Sequence, residues 1–546
     1  MRSCRTTWVW PLALALAACS DVATLGLVAV ETETTVGSGD DDVGTAGPDS
    51  LDLPTDGPLA QCIARGNDAG VGLCLQEAAA PTFEPSIEWS WNGEGDEVDV
   101  FSTALVANLT DDDDNGRIDL CDTPDVLVIA AERAVVSLRT ESPVGHLYVL
   151  DGAEGTSRAR FDTPVRPTYT PAIGDLDRDG VPDIVAVAPA ATPDVAPFSS
   201  RVVAFAADGT VRWTGEETFD TAWAGAVALA DLDGDEDVEI MVSNRVLDHD
   251  GRTRFVATEV EARGPSDVLP FAVDLDGDED LEVLWGTAAY HHDGTPVFAH
   301  LPEVLGSGYP HVVQLDDDPA PEILVTTEDG VALLEADGTI RFVNSRIDEV
   351  AAMGWRRPAA IHDFSQDGLP EIAMSAGDEF VVFTIDLANN RVAERWTAPI
   401  FDPGGAAAGT AFDFLGDAGA EAMYADRTEL FIYDELGAVV LQAARASETV
   451  HEYPVVADVD NDGSAEIVVV SNSGASATEA PAVRVFGEAN SRWVQARRIW
   501  NQHAYHVTNV LEDATIPFPQ RSVWLRLNTF RTNAQIEGGV VCKPEP

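Results

Sequence analysis

Short apolar runs alternate with acidic loops along this chain, and one loop pattern recurs eight times. The second copy shows it most clearly: Asp175, Asp177, Asp179, a glycine at the sixth position and Asp183 are followed at once by the apolar run 184–187. The first positions of the copies lie 40 to 64 residues apart, at Asp111, Asp175, Asp231, Asp274, Gln314, Asp363, Asp413 and Asp458. A unit repeated at such intervals is typical of a propeller or a solenoid.

Each repeat is predicted to contain four strands. In the second repeat they cover 170–174, 183–188, 201–206 and 210–214, and the acidic loop joins the first two. An Asp-Gly pair followed by an aromatic residue recurs downstream and predicts a hairpin with a type I′ turn, at Asp208, Asp250, Asp293 and Asp337. Helical periodicity is nearly absent over 101–493. The predicted fold is therefore all-β, a β-propeller of seven or eight four-stranded blades, and the motif count favours eight.

The carboxylate spacing predicts a metal site in each loop. Oxygens at positions 1, 3, 5 and 9 around a sharp turn converge on one point, and Ca²⁺ takes six to eight oxygen ligands. An EF-hand is excluded because position 12 carries no Glu and the flanks are predicted to be strands. Without a cation the crowded carboxylates would repel one another. The alternative is a set of plain acidic turns, which eight copies in register disfavour.

The eight loops differ in their candidate ligands. Four loops have a full set: Asp175, Asp177, Asp179 and Asp183; Asp231, Asp233, Asp235 and Glu239; Asp274, Asp276, Asp278 and Glu282; Asp458, Asp460, Asp462 and Glu466. Three are weaker: Asp111, Asp113, Asn115 and Asp119; Asp316, Asp318 and Glu322, where Gln314 replaces the first carboxylate; Asp363, Ser365, Asp367 and Glu371. In the seventh, Leu415 leaves only Asp413, Asp417 and Glu421, and we expect this loop to hold no ion.

The pattern aliphatic-x-Asp-Leu-Asp-x-Asp-x-x-x-Glu/Asp-aliphatic resembles the FG-GAP repeats, also called VCBS repeats. Segments such as 170–174 and 453–457, which precede the loops, add to the resemblance, and it extends over about residues 85 to 500. These repeats form the blades of the integrin α-chain propeller and of many bacterial surface proteins. The resemblance implies structural Ca²⁺ at the carboxylates given above. It also leaves the blade number open, because family members have mostly seven blades.

The N-terminus is similar to a bacterial lipoprotein signal. Arg2 and Arg5 precede an apolar run of 11 residues at 8–18, too short to span a bilayer, and Cys19 follows. The resemblance implies acylation of Cys19 and an anchor at the outer membrane or cell surface of a bacterium; the alternative is an ordinary secretory peptide. We expect a signal peptide at 1–18, an acidic flexible linker at 19–60, a cysteine-containing lead-in at 61–84, the propeller at 85–496 and a C-terminal cap at 497–546.

Four cysteines remain after the signal and Cys19: Cys62, Cys74, Cys121 and Cys542. An even number in an exported protein predicts two disulfides, with three connectivities. The short spacing favours Cys62–Cys74. Cys121–Cys542 would then join the first blade to the C-terminus, two regions that are neighbours in a closed ring.

The net charge of −62, with Lys543 as the single lysine, excludes nucleic acid as a partner and disfavours docking on anionic lipid. We therefore expect membrane contact only through the N-terminal lipid. We also expect a monomer.

The last fifty residues, rich in aromatic residues, Arg and Asn, include Asn501, His503 and His506. They read either as a capping segment, which we favour, or as a metal or catalytic cluster. No Gly-x-Ser-x-Gly, Walker or His-Glu-x-x-His motif occurs. Two hypotheses follow: a calcium-stabilised, non-enzymatic surface propeller that binds a protein or glycan, or a surface polysaccharide lyase or hydrolase that uses the C-terminal cluster or an acidic central channel.

Overall fold

The computed structural model describes most of the chain beyond the predicted tether. The described residues are 72–133, 144–190, 199–258, 269–300, 302–316, 318–351, 354–365, 367–402, 406–417, 419–472 and 480–543. The predicted signal, Cys19, the linker and Cys62 lie outside them.

Eight four-stranded sheets form the blades of a propeller, as the motif count predicts. We name the strands of each blade A to D in order across the sheet, and A to C also follow in chain order. The strands of blades 1 to 4 are Leu105–Ala107, Asp125–Glu132, Gly145–Asp151, Ser157–Arg160; Ala172–Gly174, Asp183–Pro189, Ser199–Ala206, Val211–Thr214; Gly225–Ala230, Glu239–Val242, Arg245–Leu247, Thr253–Val256; Phe271–Val273, Glu282–Trp285, Ala288–Tyr290, Pro296–Ala299. Those of blades 5 to 8 are Gly308–Val313, Glu322–Thr327, Gly330–Leu334, Ile340–Ser345; Ala360–His362, Glu371–Ala376, Glu379–Asp386, Arg391–Pro399; Gly409–Phe412, Glu421–Ala425, Glu429–Tyr433, Val439–Ala444; Val455–Ala457, Glu466–Val470, Val483–Glu488, Pro85–Trp91.

Few described elements lie outside this pattern. Two additional strands extend blades 1 and 2, at Glu97–Val100 and Phe219–Asp220, and Tyr169–Thr170 pairs in parallel with strand A of blade 3. Helical turns occur at Pro302–Leu305 and, as a 3₁₀ turn, at Val523–Leu525. No helix in these described ranges is long and apolar enough to cross a membrane.

The two ends of the chain close the ring in blade 8. Its outer strand, Pro85–Trp91, comes from the N-terminal part of the chain and pairs antiparallel with Val483–Glu488. Strand pairing therefore joins residues about 400 positions apart, and blade 8 cannot be completed until both ends of the propeller are present.

The predicted hairpin and aromatic signal has a packing role between blades. Trp213, at the end of blade 2, lies against Gly251 of blade 3, where an added Cβ would come within 2.6 Å of the ring. Phe255 meets Gly294 in the same way. The turn itself differs from the predicted type I′, because Gly209 has a φ of +85° whereas Asp208 does not have a positive φ. The Gly209 N–H donates a hydrogen bond to the Ala206 carbonyl and so closes the turn. Gly209 is the last residue of this turn and has left-handed backbone geometry.

The C-terminal segment does not merely cover the ring but bonds to strand A, or the residue directly after it, in all eight blades. The A strands of blades 1 to 4 contact one another in succession, as do those of blades 6 to 8. In blade order the bonded pairs are Trp500 with Val106, Asn501 with Ile173, Gln502 with Leu229, Gln520 with Ala272, Asn528 with Gln314, Phe530 with Ile361, Arg531 with Thr410 and Asn533 with Val456. The C-terminal segment therefore occupies the centre of the ring, where the enzyme hypothesis placed an acidic channel.

The predicted disulfide pairing is wrong. Cys74 bonds to Cys542, with 5.0 Å between their α-carbons. The reason is a small sheet that the spacing argument could not anticipate: Gly72–Leu73 pairs in parallel with Val540–Lys543, which also pairs with Ile536–Glu537. Cys121 is also disulfide-bonded, and its partner is not among the described cysteines. The disulfide therefore joins the lead-in, rather than the first blade, to the C-terminus.

Candidate metal-binding loops

All eight acidic loops connect strands A and B, so they lie on one face of the ring. One hydrogen bond recurs in every blade: a backbone N–H near the start of the loop donates to the carboxylate that begins strand B. These bonds measure 2.8 to 3.4 Å and run from Leu109 to Asp125, Leu176 to Asp183, Leu232 to Glu239, Leu275 to Glu282, Leu315 to Glu322, Phe364 to Glu371, Phe414 to Glu421 and Val459 to Glu466. The repeat thus places a buried carboxylate at the same point of each blade.

The turn that gathers the carboxylates needs left-handed backbone at its fourth and sixth positions. In blade 2 these are Arg178 and Gly180, with φ values of +56° and +81°. The Gly180 N–H donates to Asp175 at 2.9 Å, which holds the first carboxylate inside the turn. In blade 3 the glycine moves to the fourth position, and Glu236 takes a φ of +77° at the sixth. Glycine at position six is therefore not obligatory, although a glutamate there bears backbone strain.

The first loop has a different register from the predicted one. Asp125, and not Asp119, begins strand B, because this loop is longer than the others. The Asp119 carboxylate accepts a bond from the Cys121 N–H instead. Asp111 and Asp113 come together with Asp122, so three carboxylates still meet there.

The two loops that depart most from the pattern satisfy their polar groups differently. The Gln314 amide donates to the carbonyls of Asp318 and Ala320, and so occupies the space of a first carboxylate with bonds of its own. Leu415 packs at the edge of a core cluster, and its carbonyl accepts a bond from the Ala78 N–H at 2.8 Å. Ser365, in blade 6, donates its hydroxyl to Glu371 at 2.7 Å.

Burial raises the pKa of the carboxyl group that begins strand B in every blade. It is raised to about 7 in Asp183, Glu282 and Glu322, to about 8 in Glu239, and to well above the usual value in Glu466. Neighbouring aspartates add to this shift. A charged carboxylate in these positions needs a nearby positive charge.

In five blades an arginine from strand D supplies that charge. Every D strand has a β-bulge, and in these five blades the extra residue at the bulge is the arginine that contacts the acidic loop of its own blade. The bulge residues of blades 1 to 8 are Arg158, Arg212, Arg254, Val297, Arg341, Arg395, Val440 and Glu88.

The ion pairs are close in each of the five. Arg212 bonds to Asp177, Asp183 and, at 3.1 Å, Asp179. The corresponding pairs elsewhere are Arg158 with Asp125 at 3.3 Å, Arg254 with Glu239 at 2.6 Å, Arg341 with Asp316 at 2.8 Å and Arg395 with Glu371 at 3.0 Å.

Blades 4 and 8 keep a full carboxylate set without a bulge arginine. In blade 4, Asp274, Asp276 and Asp278 come together, and Asp276 and Glu282 also meet His291. The imidazole Nδ1 of His291 lies 3.0 Å from Glu282. Oxygen ligands with one imidazole suit a divalent cation.

Sequence reasoning missed the bulge residues, His291 and Asp122. A signal for the arginines was present: Arg212-Trp213, Arg254-Phe255, Arg341-Phe342 and Arg395-Trp396 repeat one Arg-aromatic pair per blade.

The C-terminal histidines are buried and do not line an open cavity. The His503 ring meets Tyr453 edge-on at 5.0 Å, and His506 stacks on Phe530 at 5.7 Å. Burial lowers the pKa of His503 well below its usual value and that of His506 to about 4, so both are neutral at pH 7. Asn501 bonds to the backbone of blade 2. The capping interpretation describes these contacts, whereas a catalytic cluster would need access for a substrate.

Comparison with solved structures supports the fold. The chain is similar to the V. cholerae biofilm matrix protein Bap1, with 19% identity over 85% of this chain and 100% of that chain and a TM-score of 0.66. Weaker likenesses include a rhamnogalacturonan lyase of Bacillus licheniformis, with 15% identity, a TM-score of 0.49, and coverage of 84% of this chain and 82% of that one. No protein-family model and no curated protein matches the chain. The likeness to Bap1 establishes an eight-bladed β-propeller.

Proposed function

We propose that this protein is an exported propeller, stabilised by Ca²⁺ in loops of the FG-GAP type, that binds a protein or glycan outside the cell. The observation that carries the proposal is the acidic loop repeated on one face of all eight blades, which brings three or more candidate ligands together in blades 1 to 4. Hard oxygen donors in this number favour Ca²⁺ over softer metals. The lipoprotein-like start, with acylation at Cys19 and an outer-membrane or cell-surface location, belongs to this proposal.

The filled centre of the ring favours a rigid binding scaffold over an enzyme. The C-terminal segment occupies the centre, and the histidines that an enzyme would have used are buried. The biofilm matrix named for Bap1 is one source of partners to screen. A net charge that remains strongly negative favours neutral or cationic partners over anionic ones.

The test is a glycan array and a protein-binding screen with the mature chain, in calcium and in EDTA. The proposal predicts saturable binding in calcium without chemical change of the ligand. Asp274→Asn with Asp276→Asn, which weakens the blade 4 loop, should reduce the calcium effect, whereas Asp162→Asn at an exposed site should not. Release of cleaved glycan in place of retained binding would contradict the proposal. Mass spectrometry of the membrane-extracted protein tests acylation of Cys19 directly.

A further inference from the structure

The outer strand of blade 8 carries an acidic residue where five other blades carry arginine. Ile87 pairs with Phe486 and Trp89 with Val485, so Glu88 is the extra residue of the bulge. Its position corresponds to that of Arg212, which contacts three carboxylates of its loop. Glu88 therefore faces the acidic loop of blade 8 and adds a fifth carboxylate, where the other blades add a positive charge.

Gly487 provides the space for this carboxyl group. An added Cβ at Gly487 would lie 1.9 Å from Glu88 Oε1, so the carboxyl lies directly against the glycine. In every other blade the position equivalent to Gly487, near the end of strand C or directly after it, is occupied by a residue with a side chain. Examples are His291 in blade 4 and Glu335 in blade 5. The glycine and the bulge together bring the Glu88 carboxyl close to the loop.

The loop itself has buried oxygen atoms without partners. Asp458 and Glu466 are both completely buried, and Asp458 Oδ1 and Glu466 Oε1 have no hydrogen-bond partner. Their other oxygens accept bonds from the Gln495 side chain at 2.7 Å and the Val459 N–H at 2.9 Å. Two buried, unpaired carboxylate oxygens in one loop are costly unless a cation binds them.

Within the described part of the chain, no positively charged side chain forms an ion pair with Glu88 or with the carboxylates of the blade 8 loop. Arg498 lies nearby but pairs with Glu512 at 3.1 Å and donates to the Asn461 side chain, not to the loop carboxylates. Glu88 lies close enough to Asp460, Asp462 and Asp458 for their like charges to repel one another.

We propose that Glu88, Asp458, Asp460, Asp462 and Glu466 form a divalent-cation site that fastens the N-terminal strand to the last blade and so closes the ring. The site takes a hard, Ca²⁺-sized ion, because five carboxylates supply the oxygens that such an ion needs. Two of its charges offset the repulsion between Glu88 and the loop. This proposal rests on the proposed function, namely that the acidic loops bind divalent cations, and adds that one loop controls closure.

The test compares hydrogen exchange of the mature chain in calcium and in EDTA, read by mass spectrometry. Two peptides matter: the one covering Pro85–Trp91 and the one covering the blade 4 loop at 274–282. In the native chain calcium should slow exchange of both peptides at least about tenfold, since both sites order their loops.

Glu88→Gln removes the fifth charge, whereas Gly487→Ala displaces the Glu88 carboxyl and removes no acidic residue. Both variants should lose the calcium protection of Pro85–Trp91 and keep that of 274–282. The control Glu94→Gln makes the same charge change at an exposed site and should behave as the native chain. Retained protection of 274–282 also shows that each variant is folded.

The outcomes separate the two proposals. Calcium protection of Pro85–Trp91 that is unchanged in Glu88→Gln overturns the closure site and leaves the proposed function standing. Calcium that protects neither peptide of the native chain contradicts the proposed function itself.

Discussion

Arg212→Val is the variant that best tests whether a bulge arginine competes with a metal ion in its own loop. Arg212 contacts Asp177, Asp179 and Asp183, and valine is the residue that blade 4 carries at this bulge. Without the guanidinium, the blade 2 loop should bind Ca²⁺ more tightly. In EDTA the variant should be less stable, because the carboxylates then lack a counter-ion.

The expected size follows from the charges. A divalent ion among the loop carboxylates would lie about 5 Å from the guanidinium by the geometry of such pairs. Asp177 and Asp179 are 44% and 45% exposed, so the interaction is largely screened by water. With an effective dielectric constant of about 70, the repulsion between the ion and Arg212 is about 2 kcal/mol. Its removal should therefore strengthen binding roughly thirtyfold.

The assay is the calcium concentration that half-protects the amides of the 175–183 peptide from hydrogen exchange. Arg391→Val is the matched control, because it removes the same charge from an exposed hairpin where Arg391 pairs with Asp386. The control should shift the midpoint by less than about twofold, since exposed charges at a distance are screened. A midpoint in Arg212→Val equal to that of Arg391→Val would refute the competition.

Two further predictions concern stability. Asn533→Ala should lower the free energy of unfolding in urea by about 3 kcal/mol, because the buried Asn533 side-chain amide donates to three carbonyls and accepts a bond from the Tyr505 hydroxyl. The control Asn389→Ala, at an exposed position, should lower it by less than about 0.5 kcal/mol. Equal losses in the two variants would contradict the structural role of the C-terminal segment. In EDTA the melting temperature should fall between about pH 7 and 9, because the folded-state pKa of Asp458 is about 7 and that of Glu239 about 8, both above the usual values of 3.8 and 4.5. Over this range the folded state loses the protons that its buried carboxyl groups hold, and the stability that these protons provide is lost with them. The buried histidines change the stability only below about pH 6.5. A melting temperature that rises between about pH 7 and 9 would contradict this prediction.

The repeat made most of the fold predictable. Strand B of blade 2 was expected at 183–188 and covers Asp183–Pro189, because its apolar run is buried on both faces. The first strand, expected at 170–174, is instead divided. Thr170 pairs with the next blade, and Ala172–Gly174 forms strand A, with Pro171 between them. A proline lacks the N–H that a continuous ladder requires.

What the sequence could not supply was the meeting of distant segments. The bulge arginines contact the loops only because strand D folds back across the blade, and Glu88 reaches its loop only because the ring closes. The Cys74–Cys542 bond likewise depends on a small parallel pairing of two residues with the chain terminus. Candidate carboxylates could therefore be named from local spacing, whereas the pairing of each arginine with its loop depends on how strand D folds in the blade.

The most direct test of the central claim, that the acidic loops bind divalent cations which stabilise the ring, is calorimetric melting of the mature chain. Scans at about pH 7.5 in calcium, in magnesium and in EDTA isolate the ion, since magnesium is smaller and dehydrates reluctantly. The account predicts a higher melting temperature in calcium than in EDTA, with magnesium between them, because an ion that binds only the folded state stabilises it. The same melting temperature in calcium and EDTA would contradict the account.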